Sequence, residues 1–182
     1  MHIVLVGAGR VGTSLSRELV AAGHEVAVVD TDRARCDSLD EALGSVSVLG
    51  DGSDSRVLAG AGANRAEVLI ATTRSDSTNL AACQLGKHVF GVARTVSVVN
   101  NSDHTELFRM LGMDATIDLS ELVLGRIQEA LSMGGLSHLM PVSDVDGKRL
   151  LSIKIPPDSG VEARAIKDIP LPIGTLISLV IT

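Results

Sequence analysis

Short apolar runs recur along the first part of the chain, separated by longer stretches in which apolar residues return every three or four positions. The runs at 2–6, 25–29, 46–49, 67–71, 90–94 and 114–117 predict strands, and the stretches near 10–22, 32–43, 54–61, 75–87 and 103–111 predict helices. A strand-helix order repeated this often implies an α/β fold: a parallel sheet joined by right-handed crossovers. The punctuation agrees. Gly23 stops the first helix, Ser53 or Asp54 caps the third, and Ser75 or Asp76 caps the fourth.

A longer helix is expected near 119–133, with Asp118 or Ser120 as its cap and Gly134-Gly135 as its end. Its apolar positions include Leu119, Leu122, Val123, Ile127, Ala130 and Leu131, a stripe that ordinarily faces a core and otherwise docks on a second copy of the chain. Beyond Gly135 the texture changes. "LSHLMPVSDVDGKRLLSIKIPPDSG" reads as strands with turns at Asp146-Gly147 and Pro156-Pro157. "EARAIKDI" predicts a short helix and "TLISLVIT" a final strand. The expected division is therefore 1–133 and 134–182, the second part a small α+β lobe. It is small for an independent core and closes on an apolar strand, so it is expected to pair with another chain or to belong to a larger domain.

Composition narrows the class. Apolar residues make up 45% of the chain, Trp and Tyr are absent and Phe occurs twice, so the core is built from Val, Leu, Ile and Ala, as in buried parallel sheets. The formal net charge of −6 argues against a nucleic-acid or anionic-membrane surface. No apolar run approaches the roughly 18 residues of a membrane span, and no targeting segment is expected at Met1. Cys36 and Cys83 form no paired motif and are expected as reduced thiols, and the scattered histidines offer no metal-ligand spacing.

Chemistry concentrates at "GAGRVG". Gly7, Ala8, Gly9, Arg10, Val11 and Gly12 follow one predicted strand and open a helix, and Asp30 ends the next strand. That context makes a Rossmann-like, doubly wound dinucleotide site the expectation. Gly7 allows the tight turn, Gly9 lets a pyrophosphate approach the backbone, and Gly12 lets helix and strand pack closely. The helix N-terminus offers free N–H groups to phosphate. Asp30, followed by Thr31, can accept from ribose hydroxyls and would repel a 2′-phosphate, which favours NAD or an adenine nucleotide over NADP. Arg10 can meet a terminal phosphate, or else is an exposed arginine at a helix start. Further polar groups fall at the predicted strand ends: Gly50-Asp51-Gly52-Ser53-Asp54, then Thr72-Thr73-Arg74-Ser75-Asp76 with Asn79, then Arg94 and Thr95. Ligands of open α/β sheets bind beyond the carboxyl ends of strands, so these groups are read as one site.

Together "GAGRVG", "VVDTD", "GDGSD", "VLIATTRSDSTNLAAC" and "LFRMLGMDATIDL" resemble the TrkA-type RCK domain, also called KTN, over roughly residues 1–133. The stretch "LLSIKIPPDSGVEARAIKDIPLPIGTLISLVIT" is similar to the first half of the companion C-terminal domain and lacks the strands that usually follow. The resemblance implies a cytosolic regulator of potassium channels and transporters that binds NAD(H), ATP or ADP. It implies that Arg10 reaches the phosphates and that Asp30 binds ribose. Asp51, beside Gly52, would read the adenine edge; Thr72, Thr73 and Asn79 would lie by the nucleotide; and Arg94 would lie near the site or a dimer interface. It further implies a crossover helix at 119–133 that grips a partner subunit, and dimers or octameric rings beneath a membrane pore. The chain would then be cytoplasmic, held at the inner face of the plasma membrane by its partner, without inserting itself.

An NAD-dependent oxidoreductase is the alternative in another class. It needs a catalytic acid or base beside a substrate pocket. The nucleotide unit uses most of the chain, no Tyr is present for a Tyr-Lys pair, and His88 and His104 are read as structural. A ligand-free interaction module is the third reading, opposed by the intact glycines and Asp30.

Overall fold

All five residues of β1 (His2–Val6) are buried, which sets this strand at the centre of the sheet. The structure, a computed structural model, describes residues 1–130, 136–138, 151–153 and 164–169. The chain divides into two compact units, Met1–Leu124 and Gly125–Thr182.

In the first unit, β1 is joined by β2 (Glu25–Asp30), β3 (Ser47–Leu49), β4 (Val68–Ala71), β5 (Arg94–Val99) and β6 (Ala115–Asp118). The order across the sheet is β3-β2-β1-β4-β5-β6, every neighbouring pair parallel. Chain progress reverses direction between β1 and β4, which creates the switch-point crevice of doubly wound folds. The helices are α1 (Arg10–Ala21), α2 (Arg33–Leu43), α3 (Ser55–Gly60), α4 (Asp76–His88), α5 (Thr105–Met110) and α6 (Leu119–Ala130), the last running on past Leu124.

Alternation along β1 feeds two cores. Val4 and Val6 pack with Leu58, Leu69, Ala82, Cys83 and Phe108, under α3, α4 and α5. Leu5 packs with Val26, Val28 and Leu39, flanked by Leu15 and Leu19, under α1 and α2. Burying such aliphatic side chains stabilises the fold by roughly 1.5–3 kcal/mol each before entropy is counted. Both cysteines are buried free thiols. Burial pushes the Cys83 thiol up to about 12; Cys36 is raised in the same direction for the same reason, and its Sγ lies 3.7 Å from the Asp30 carbonyl oxygen.

The expected caps are present. Asp54 Oδ1 accepts from Arg56 N (2.8 Å), Ser75 Oγ from Thr78 N (3.2 Å), and Asp118 Oδ1 from Glu121 N (3.0 Å). Gly23 ends α1 with φ +81°.

Two expectations need correction. The fifth strand runs Arg94–Val99 rather than 90–94, because Gly91 turns at φ +67° and Val92 only anchors the approach. The true strand hides Thr95 and Ser97 on buried faces, so it does not read as an apolar run. Their polarity is satisfied: Thr95 N and Oγ1 both donate to Asp114 Oδ2 (2.7 and 2.8 Å), and Ser97 Oγ donates to the Val98 carbonyl (3.1 Å). The second correction concerns α6. Leu122, Val123 and Ile127 are exposed, so this stripe does not fill the core.

In the second unit, β7 (Leu136–His138) pairs antiparallel with β8 (Leu151–Ile153), Leu136 opposite Ile153. A 3-10 turn covers Ile166–Asp168, within the stretch expected to be helical. The turns at Asp146-Gly147 and Pro156-Pro157, the helix end at Gly134-Gly135 and the final strand lie outside the described residues. No helix among the described residues is long and apolar enough to cross a membrane.

Candidate functional site

The β1–α1 turn is shaped by what its glycines exclude. Gly7 sits at φ +106°, and its N–H donates to the Val29 carbonyl (2.8 Å), which ties the turn to β2. A Cβ on Gly12 would lie 1.8 Å from the Gly7 carbonyl oxygen, so any side chain there forces the turn open. Gly9 differs: a Cβ there would meet nothing within 4 Å. Its bare face opens outward, which leaves the protein backbone there free to close approach by a phosphate. Gly9 is the N-cap of α1 and supplies no side-chain cap, and the first turn holds no acid. The N–H groups of the α1 first turn are therefore left for an external acceptor.

Asp30 ends β2 beside this turn, 8% exposed. Its Oδ2 accepts from Ala8 N (2.6 Å) and its Oδ1 from Asp32 N (2.8 Å). One carboxylate thus braces the glycine turn and the entry to α2, with acceptor capacity left over. Arg35, in the first turn of α2, reaches Asp30 Oδ2 at 3.6 Å and Asp32 Oδ2 at 3.3 Å. Thr31, next to Asp30, is exposed.

Across the crevice the β4–α4 loop forms a fixed wall. Thr72 Oγ1 donates to the carbonyls of Val6 (3.3 Å) and Gly7 (3.2 Å). Thr73 N and Oγ1 donate to Asn79 Oδ1 (2.9 and 2.6 Å), and Asn79 Nδ2 donates to the carbonyls of Thr73 (3.0 Å) and Val98 (2.9 Å). Asp76 accepts from Asn100 N (2.8 Å) and Asn101 N (3.1 Å), with His104 Nδ1 at 2.8 Å. Burial pushes the Asp76 carboxyl up, but these bonds outweigh it and hold the group below the usual carboxylate range.

Between the turn, α2 and the wall lies a cavity of about 480 Å3 lined by Ala8, Gly9, Arg10, Thr13, Ser14, Arg35 and Arg74. Its charged lining is three arginines. Of the expected residues, Gly7, Ala8, Gly9, Arg10, Val11, Gly12, Asp30, Thr72 and Thr73 lie in or around this crevice. Asp51 sits in the β3–α3 loop, where its Oδ1 accepts from Ser53 N (2.9 Å) and Oγ (2.8 Å); these bonds hold its carboxyl below the ordinary range. Gly52 is a packing glycine, since a Cβ would fall 2.2 Å from Val6 Cγ1.

Two expected ligand contacts are corrected. Asn79 is fully buried and uses its amide to brace the wall, so it acts behind the surface. Arg94 opens β5 opposite Val68, at the amino ends of the strands and away from the glycine turn. The cavity lining adds Arg35, Thr13 and Ser14 to the expected residues, and it gives Arg74, expected only as one of the polar strand-end groups, a place of its own. Their signal is positional: Thr13 and Ser14 follow the motif directly along α1, Arg35 lies in the first turn of the helix after Asp30, and Arg74 sits between two loop residues that are themselves pinned.

The family model for the TrkA-N domain matches residues 3–119. The chain belongs to the TrkA-N domain family. A Trk system potassium uptake protein TrkA homolog of Pyrococcus horikoshii is 27% identical over 182 residues, covering 97% of this chain and 79% of its own length. The GsuK channel bound to NAD matches with a TM-score of 0.65 and 28% identity, over 80% of this chain and 26% of the channel chain. GsuK bound to ADP matches with a TM-score of 0.60 and 29% identity, over 69% of this chain and 33% of that one. The six-stranded parallel sheet is thus a TrkA-N sheet, and the cavity stands at the switch point of that fold.

Proposed function

We propose that this TrkA-N chain is a nucleotide-sensing regulator of potassium transport. It binds NAD(H) or an adenine nucleotide and passes that occupancy, through a dimer or ring, to a membrane channel or uptake transporter. The observation that carries the reading is the uncapped start of α1, with Gly9 facing open space and Asp30 bonded to Ala8 N beside it. The first-turn N–H groups would hold the phosphates, Asp30 the ribose hydroxyls through its remaining acceptor capacity, and Arg10 a terminal phosphate. Asp51 would reach the adenine edge by giving up its bonds to Ser53. The relatives support the choice of ligand and role: the matched GsuK structures hold NAD and ADP, and the Pyrococcus homolog is a potassium uptake protein.

A sensor needs no reacting group, only two assembly states that bind the nucleotide unequally. Partner subunits have surface to grip: α5 and the turn after it expose Leu107, Met110 and Leu111, and α6 exposes Leu122, Val123 and Leu124. The chain would work at the cytoplasmic face of the membrane, held there by its partner.

The test is titration calorimetry with ATP, ADP, AMP, NAD and NADH, with light scattering on each mixture, for the wild type and Asp30→Ala. The expected result is micromolar binding that changes the assembly and is lost in Asp30→Ala. Binding of none of these overturns the nucleotide reading. Tight NAD(H) binding with an unchanged assembly overturns the sensing step and favours the oxidoreductase reading, which a substrate screen would then pursue.

A further inference from the structure

Arg74 stands apart from the motif that defines the site. It lies on the β4–α4 loop, across the cavity from the glycine turn, and shares the cavity lining with Arg10 on α1. Among the described residues, neither guanidinium has a hydrogen bond or ion pair. Arg35, the third cation of the lining, is paired with Asp30 and Asp32. The nearest acid of the Arg74 loop, Asp76, is turned to Asn100 and His104. The uncompensated charge of the lining therefore comes from Arg10 at the α1 start and from Arg74 on the β4 side.

The backbone beneath Arg74 is held on both sides. Thr73 is bonded through its N–H, hydroxyl and carbonyl to Asn79, and the same carbonyl accepts from Asn100 Nδ2 (3.1 Å). Ser75 donates its N–H to Thr73 Oγ1 (3.2 Å) and caps α4. A flexible side chain thus rises from a fixed base, which lowers the cost of ordering it on a ligand.

Position then sets what Arg74 meets. With adenosine against Asp30 on β2 and phosphates over the α1 start, the rest of the ligand extends toward β4. We propose that Arg74 is a specificity-determining residue of this site, acting from the β4 side opposite Arg10: it reads the charge at the far end of the nucleotide, favouring a third phosphate over a group that is neutral or cationic there, such as oxidised nicotinamide. The proposal rests on the nucleotide reading above and concerns the residue that ranks nucleotides sharing one adenosine half.

Wild type, Arg74→Ala and Arg74→Lys are titrated with AMP, ATP and oxidised NAD in magnesium-free buffer at low salt. The side chain is exposed and unpartnered, so both variants should melt as the wild type does. Arg74→Ala is expected to lose about tenfold in ATP affinity, to keep AMP affinity within about twofold, and to bind oxidised NAD no more weakly; Arg74→Lys should recover most of the ATP affinity. If AMP and ATP weaken equally, or if Arg74→Ala binds ATP as the wild type does, the proposal is wrong while the nucleotide reading stands. A wild type that binds none of the three overturns both.

Discussion

Helices α1 and α4 leave neighbouring strands at the same end of the sheet and begin in opposite ways. The start of α4 is sealed: Ser75 caps it, Asp76 sits in its first turn, and Asn79 locks the loop from below. The start of α1 is open. It has no side-chain cap and no first-turn acid, and its first residue is Arg10, a cation at the positive end of a helix. That placement costs about 0.3–1 kcal/mol relative to a well-matched terminus. One helix start satisfies itself and so makes a rigid wall. Its neighbour is left unsatisfied and so makes a mouth for an anion.

The strongest way to break this contrast is to fill the turn. Gly12→Val should destabilise the fold by about 3 kcal/mol in urea denaturation, because its Cβ would strike the Gly7 carbonyl. An unchanged midpoint would mean that the turn is loose and the mouth is not pre-shaped. Next comes the wall. Asn79→Ala strands Thr73 N and the Val98 carbonyl, and should lower stability by about 2–3 kcal/mol and weaken ATP binding with it. Lost stability with intact affinity would make the wall a structural strut alone. The smallest effect is the sharpest. Arg10→Glu gives the mouth the chemistry of the wall, so it should stabilise the ligand-free chain by about 0.5 kcal/mol while abolishing ATP binding. If it neither stabilises nor weakens binding, the open terminus is not the anion seat.

Much of this was legible in the sequence because its signals are local. The glycine turn and the caps Asp54, Ser75 and Asp118 each depend on spacing within a few residues, and Asp30 is found by its fixed place at the end of the strand that follows the glycine motif. What escaped depends on distant partners. β5 was displaced because Thr95 and Ser97 are buried polar residues, and Asp114, which satisfies Thr95, comes from the approach to β6. Arg94 moved to the opposite end of the sheet with that shift. Asn79 reads as a polar residue beside the nucleotide, yet its bonds to Thr73 and Val98 place it in the interior. The stripe on α6 was ambiguous for a related reason: periodicity reports an apolar face and not what covers it.

The two thiols carry a practical consequence. Cys83 is sealed in the core on the inner face of α4 with its pKa pushed to about 12, and Cys36 lies behind the strand end that carries Asp30. An alkylating reagent therefore finds no reactive sulfur on the folded chain, and every modification event reports an opening. Cys83 should be labelled only when α4 comes away from the sheet, whereas Cys36 answers to local loosening around Asp30. Their relative labelling rates give the native protein its own two clocks, one for α4 and one for the mouth, without any added probe.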